Sequence, residues 1–94
     1  MAKATFNGTV VAESNDTVMV EGNHYFPKES VNWDYFTDSS AAQTVCPWKG
    51  LADYYDLEVD GQSARGVAWT YHDPKSEAEH IRDHVAFYPQ VRVS

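Results

Sequence analysis

Apolar and polar residues alternate with a period of two along most of the chain, which is the spacing of strands buried on one face. From Thr17 to Glu21, Val18 and Val20 fall on one side and Thr17, Met19 and Glu21 on the other. Between Ala52 and Val59 the residues Tyr55, Leu57 and Val59 share a face opposite Tyr54, Asp56, Glu58 and Asp60. Ser63 to Tyr71 returns with Val67, Trp69 and Tyr71 aligned, and Asp60-Gly61 between the two runs predicts a tight hairpin. Asn7-Gly8 divides residues 4–13 into a second hairpin, and Glu21-Gly22-Asn23 marks another reversal. His24-Tyr25-Phe26 reads as a short strand closed by Pro27, which cannot donate to a ladder. Lys28 to Val31 fits one helical turn or an extended segment. Val31, Trp33 and Tyr35 then alternate with polar neighbours, which predicts a strand through Phe36. Short extended segments are also expected at Gln43–Cys46, Val85–Tyr88 and Val91–Val93.

One stretch follows a helical rhythm instead. Asp73 can cap, Pro74 suits a first helical position, and Glu77 and Glu79 lie near the positive end of the dipole. Ala78, Ile81 and Val85 recur at helical spacing, so a helix of about ten residues is expected near 74–84, ending by Asp83 or His84. The fold class is therefore mainly β: a small single domain over residues 1–94, with about seven or eight short, mostly antiparallel strands and one short helix. No βαβ rhythm is present, which argues against a Rossmann or P-loop architecture.

Composition narrows the classes of partner. Seven Lys and Arg face fourteen Asp and Glu over 94 residues, a net charge of −7. The basic residues are scattered, from Lys3 to Arg92, and form no stripe. Nucleic acid and anionic membrane surfaces are thus disfavoured as partners. No apolar run approaches the roughly 18 residues of a membrane helix. The start of the chain has no apolar h-region, and the single cysteine, Cys46, allows no internal disulfide. A cytoplasmic protein, monomeric or weakly dimeric, is expected. With two Leu and one Ile against thirteen Phe, Trp and Tyr, ring side chains must supply much of the core.

Four groups of residues carry candidate chemistry. In Cys46-Pro47-Trp48-Lys49-Gly50, Pro47 and Gly50 shape a rigid corner that presents a thiol, an indole and an ammonium. Lys49 there could activate Cys46, or Cys46 and Trp48 could simply pack. His80 and His84 share a face if the helix is continuous, but a third ligand is missing unless Glu77 serves, so no metal is assigned. Asp53, Asp56, Glu58 and Asp60 read as a solvated outer face. The rings Tyr25, Phe26, Trp48, Tyr54, Tyr55, Trp69, Tyr71, Phe87 and Tyr88 either fill the interior or wall a hollow that could stack a planar or cationic ligand. Alternation suggests Tyr55 and Leu57 as the neighbours of Trp69 and Tyr71 across the hairpin.

His24-Tyr25-Phe26-Pro27, Cys46-Pro47-Trp48-Lys49-Gly50, Ala68-Trp69-Thr70-Tyr71 with Asp73-Pro74, and His84-Val85-Ala86-Phe87-Tyr88 occur in an order and spacing that resemble the bacterial family called domain of unknown function 427. The resemblance extends from about Lys3 to Val93 and implies a mostly β domain with no established reaction. The family's nucleotidyltransferase-like label finds little echo in these residues: there is no glycine-rich phosphate loop and positive charge is scarce. The leading expectation is a small molecule held by Trp48, Lys49, Trp69, Tyr71, His84 and Tyr88, with no cofactor implied. An enzyme using Cys46 or Lys49 with His84, and an interaction module using an exposed edge near Val91-Arg92-Val93, are the alternatives.

Overall fold

Three of the turns are built alike. Asn7-Gly8, Glu21-Gly22 and Asp60-Gly61 all have positive φ at both residues, as in the type I′ turns that match strand twist. They fold back β1 (Ala2–Phe6) on β2 (Thr9–Ser14), β3 (Val18–Val20) on β4 (Asn23–Tyr25), and β7 (Gly50–Val59) on β8 (Gln62–Thr70). The computed structural model describes residues 1–94. The remaining strands are β5 (Phe36–Asp38), β6 (Thr44–Cys46), β9 (Val85–Phe87) and β10 (Arg92–Val93), ten in all. They form a β10-β1-β2 sheet, the β3-β4 ribbon, and a β5-β7-β8-β9 sheet in which β6 also pairs with β7. Every strand pairing is antiparallel. The mainly β expectation holds, with more and shorter strands than the alternation suggested. No helix is long and apolar enough to cross a membrane.

The apolar faces meet in two clusters. In the first, Ala4, Val11 and Ala12 from the small sheet pack with Phe26, Phe36, Leu57, Val59, Val67 and Phe87. Leu57 and Val59 are buried while Glu58 and Asp60 face solvent, as the alternation required. The second lies at the other end of β7 and β8. Val20 and Tyr25 from the ribbon close there over Ala52, Trp69, Tyr71, Ala78, Ile81 and Ala86. The far half of β8 is covered on both sides, since Val67 to Tyr71 are all buried.

Two expected elements take other forms. The strand expected over Val31–Phe36 is a 3₁₀ turn at Trp33–Tyr35, and extension resumes only at Phe36. Asn32 accepts a bond from the Asp34 amide with its side chain, offering the backbone a turn in place of a ladder. The helix expected near 74–84 is a six-residue 3₁₀ segment, Ser76–Ile81, kinked at Ala78. Asp73 does not cap it. Tertiary ties fix both ends: Lys75 N–H donates to the Lys49 carbonyl at 2.9 Å and Asp83 N–H to the Tyr71 carbonyl at 3.0 Å. So short a segment gains little from helix propensity, and these ties decide its path. His80 and His84 consequently share no helix face, because the segment ends at Ile81.

Asp56, read from sequence as part of a solvated acidic face, has a structural task. The β7–β8 register shifts between Tyr55 and Leu57, and Gly66 at φ 64° forms the bulge opposite. The Asp56 carboxylate accepts the Gly66 N–H at 2.7 Å, so the amide released from the ladder keeps a partner.

On its other edge β7 carries two short partners. β5 pairs with Tyr55–Leu57 and β6 with Gly50–Ala52. Asp53 and Tyr54 fall in the gap, beneath the 39–43 linker that joins the two strands, and the linker touches down where Ser39 N–H donates to the Tyr54 carbonyl at 3.0 Å.

Candidate functional site

The corner at Cys46–Gly50 joins β6 to β7. Gly50 has φ 117°, and a β-carbon there would meet the Asp73 carbonyl at 3.4 Å and the Lys75 nitrogen at 3.5 Å. Cys46 is half-buried against the second apolar cluster. Lys49 is buried with its ammonium 5.4 Å from the centre of the Trp48 ring and 5.6 Å from that of Tyr71. Its charge is met by Glu21 at the tip of the β3–β4 ribbon, and the Trp48 indole N–H also donates to Glu21, at 3.4 Å. Trp69 presents an edge to Tyr25, whose hydroxyl accepts the Trp69 Nε1–H at 3.1 Å. Tyr88 lies 4.6 Å from Trp69 and parallel to Tyr54 at 6.4 Å. Tyr54 is the residue opposite Trp69 in the hairpin, in place of the expected Tyr55, because the two-residue Asp60-Gly61 turn pairs odd positions of one strand with even positions of the other, and the bulge shifts the register by two without changing that.

Cys46, Trp48, Lys49, Trp69, Tyr71 and Tyr88 therefore assemble in one region. His84 stands apart from them in its bonding: its Nδ1 pairs with the Arg82 carbonyl at 2.9 Å, and its own carbonyl accepts from the Thr70 hydroxyl at 2.7 Å. The rings interlock, and none of the molecule's three cavities is lined by any of these seven residues.

The electrostatics of the corner favour a fixed charge. Burial opposes the charge on Lys49, but the Glu21 carboxylate outweighs it, with help from Tyr25, Tyr71 and Cys46, and holds the ammonium above the ordinary lysine range. The same bond from Lys49, then that from Trp48, holds the Glu21 carboxyl below its usual value. Burial pushes the Tyr71 phenol up to about 12, against the pull of Lys49. Lys49 is thus a paired cation that ties the ribbon to the corner and offers no free amine to a substrate.

A cleft opens on the other side of Tyr54. It has a volume of about 420 Å³ and lies in the gap that β5 and β6 leave along β7. Asp38 and Ser39 line it at the end of β5, Gln43 in the linker, Asp53, Tyr54 and Tyr55 on β7, and His72 beyond β8. The Gln43 amide donates to Asp53 and the Thr44 hydroxyl pairs with that of Tyr54 at 2.7 Å. His72 Nδ1 lies 2.7 Å from Asp83, and its Nε2 4.0 Å from Asp53. Tyr55 reports the local field: burial first, then the carboxylates Asp38, Asp53 and Asp83, hold its phenol above the ordinary tyrosine range. No Lys or Arg lines the cleft.

A model of the family described as a domain of unknown function, DUF427, matches residues 1–94. The chain belongs to the DUF427 family. No curated protein matches it. The stretches through which the sequence resembled this family meet in the second apolar cluster: Tyr25, Trp69, Tyr71 and Ala86 belong to it, and Cys46 packs against it. Of the cleft residues in this DUF427 domain, Asp53, Tyr54 and Tyr55 were visible in sequence as members of an acidic set and a ring set. Asp38, Ser39, Gln43 and His72 were missed. Only the pairing of two strands with one edge of β7 brings them together, and no local motif encodes that.

Proposed function

We propose that this DUF427 domain binds a small polar molecule carrying a protonated nitrogen in the cleft between β5 and β6. The observation that carries the reading is the lining itself: two tyrosine rings, two carboxylates and an amide around about 420 Å³. That volume lies within the usual range for small-molecule sites. A cation placed against Tyr54 or Tyr55 gains from the ring face and from Asp38 and Asp53 together. The chain's net charge of −7 draws such a ligand in. A nucleotide's phosphates would meet carboxylates and no Lys or Arg in the lining, which counts against the nucleotidyltransferase label. The interlocked rings Trp69 and Tyr88 support the cleft from behind Tyr54 and leave no room for the ligand themselves.

The test is titration of the ¹⁵N-labelled chain with agmatine and spermidine, and with succinate and adenosine monophosphate as anionic counterparts. The amines are expected to shift the amide signals of Gln43, Asp53 and Tyr54, and Asp53→Asn and Tyr54→Ala to abolish the response. If neither the amines nor any compound of a mixed fragment set perturbs those signals, the cleft is not a binding site.

A protein-contact reading draws on a different surface. Val45 and Leu51 face each other across β6 and β7 and are 74% and 45% exposed. Sedimentation over a concentration range tests it for self-association, and Val45→Lys should remove any dimer found.

A further inference from the structure

Asp83 is one of four non-glycine residues with positive φ, at 58°. The other three, Asn7, Glu21 and Asp60, each precede a glycine in a hairpin turn, whereas His84 follows Asp83. The strained conformation is held by its neighbours. Asp83 N–H donates to the Tyr71 carbonyl, and Arg82 forms a parallel bridge with Tyr71. Arg82 also donates from Nη1 to the His72 carbonyl at 2.9 Å. Backbone strain of this kind persists only where the surroundings over-determine it.

What the strain achieves is the placement of a carboxylate. Asp83 Oδ1 sits 2.7 Å from His72 Nδ1. A carboxylate accepts only, so the neutral ring bonded to it carries its proton on Nδ1. Nε2 is then the nitrogen with the free lone pair. It lies on the Asp53 side, 4.0 Å from that carboxylate and beyond hydrogen-bond reach. His72 lines the cleft, and its Nε2 bonds no protein group. The charged groups around the ring are Asp53, Asp83 and the Arg82 guanidinium on its carbonyl.

We infer that His72 is a proton-transfer residue of the cleft, with Asp83 as the positioning residue that fixes its Nδ1–H tautomer. The inference rests on the cleft being a small-molecule site. The substrate class it implies has a hydroxyl, or an ester or amide carbonyl attacked by water, within reach of Nε2. In the hydrolytic case, Nε2 takes a proton from water as the water oxygen bonds the carbonyl carbon. The leaving group departs with the electron pair of its C–O or C–N bond. The imidazolium, flanked by Asp83 and Asp53, then returns the proton to the leaving group or to solvent. No electrons are gained or lost overall.

Two measurements on the full chain test this. Long-range ¹H–¹⁵N correlation of the histidine rings reads the tautomer, and hydrolysis of p-nitrophenyl acetate reads the base. The expected results are an Nδ1–H tautomer at His72, and an esterase rate that falls at least tenfold in His72→Gln. Asp83→Gly removes the carboxylate at a φ that glycine adopts freely, so the backbone is spared. It should turn His72 to the Nε2–H tautomer preferred by free imidazole side chains and lower the rate by a similar factor. An Nε2–H tautomer in the parent chain, an unchanged rate in His72→Gln, or a retained Nδ1–H tautomer in Asp83→Gly would each overturn the inference. Amine-induced shifts at Gln43, Asp53 and Tyr54 report on the cleft independently, so loss of those shifts indicts the binding site and not the base.

Discussion

Lys49 invites a decisive substitution, because its charge and its hydrocarbon stem make opposite demands. The residue is only 7% exposed, while the Glu21 side chain that neutralises it is 53% exposed. In Lys49→Met, Glu21 rehydrates and an unbranched apolar side chain keeps the slot between Trp48 and Tyr71. The cation–π contacts are lost, at about 0.5–1 kcal/mol each, but so is the cost of holding an ammonium away from water. The net change should stay within about 1 kcal/mol. Lys49→Ala loses the same charge and also three buried methylenes, which at about 0.8 kcal/mol each amounts to roughly 2.4 kcal/mol. The two variants should therefore differ by about 2 kcal/mol, or roughly 8–16 °C in melting temperature for a domain of this size. Thermal melts by circular dichroism and urea unfolding with an unchanged slope measure that gap. If methionine is as damaging as alanine, the ion pair and not the stem holds the corner, and the argument fails.

The remaining predictions address the same scaffold. Glu21 has a lowered carboxyl pKa, so its pairing with Lys49 stabilises at neutral pH and is lost as pH falls through that depressed value. Unfolding midpoints measured down the acid limb should show this loss in the parent chain and a flatter dependence in Glu21→Gln. On the alkaline side, the raised Lys49 value means that its contribution is fully present below the ordinary lysine value and is lost as pH rises from there through the raised one. Asp56→Ala leaves the Gly66 amide without its acceptor and should cost about 1–3 kcal/mol in urea unfolding, with faster hydrogen exchange at Gly66. Unchanged exchange there would show that the bulge does not depend on the carboxylate. Gly50→Ala forces a side chain into φ 117° beside the Asp73 carbonyl and should lose about 1–3 kcal/mol, seen as a lowered melting temperature.

Much of the fold was legible because it is written in local chemistry. Asn7-Gly8, Glu21-Gly22 and Asp60-Gly61 are turn signals that need no distant partner, and all three adopt the expected geometry. The alternation that buries Leu57 and Val59 beneath Glu58 is equally local. Errors arose where tertiary bonds overrode propensity. Ala78 and Ile81 keep the burial expected of a helix face, yet the ties at Lys75 and Asp83 leave room for only two 3₁₀ turns. Whether Cys46, Lys49 and Trp69 meet in space, and whether the rings fill the interior or wall a hollow, were both open from sequence, which carries neither distances nor a measure of packing gaps. His72 carries no local signal: it sits beside the Asp73-Pro74 pattern of a helix start, and its partners lie 19 and 11 residues away at Asp53 and Asp83.

The shared edge of β7 separates the lining of the cleft from the register of the sheet. The two short strands are each anchored by three register pairs, and the segment between them bears no core residue. Residues 39–43 can therefore be lengthened, shortened or rewritten while the sheet keeps its register. A library confined to that linker would vary the lining of the cleft on an intact scaffold.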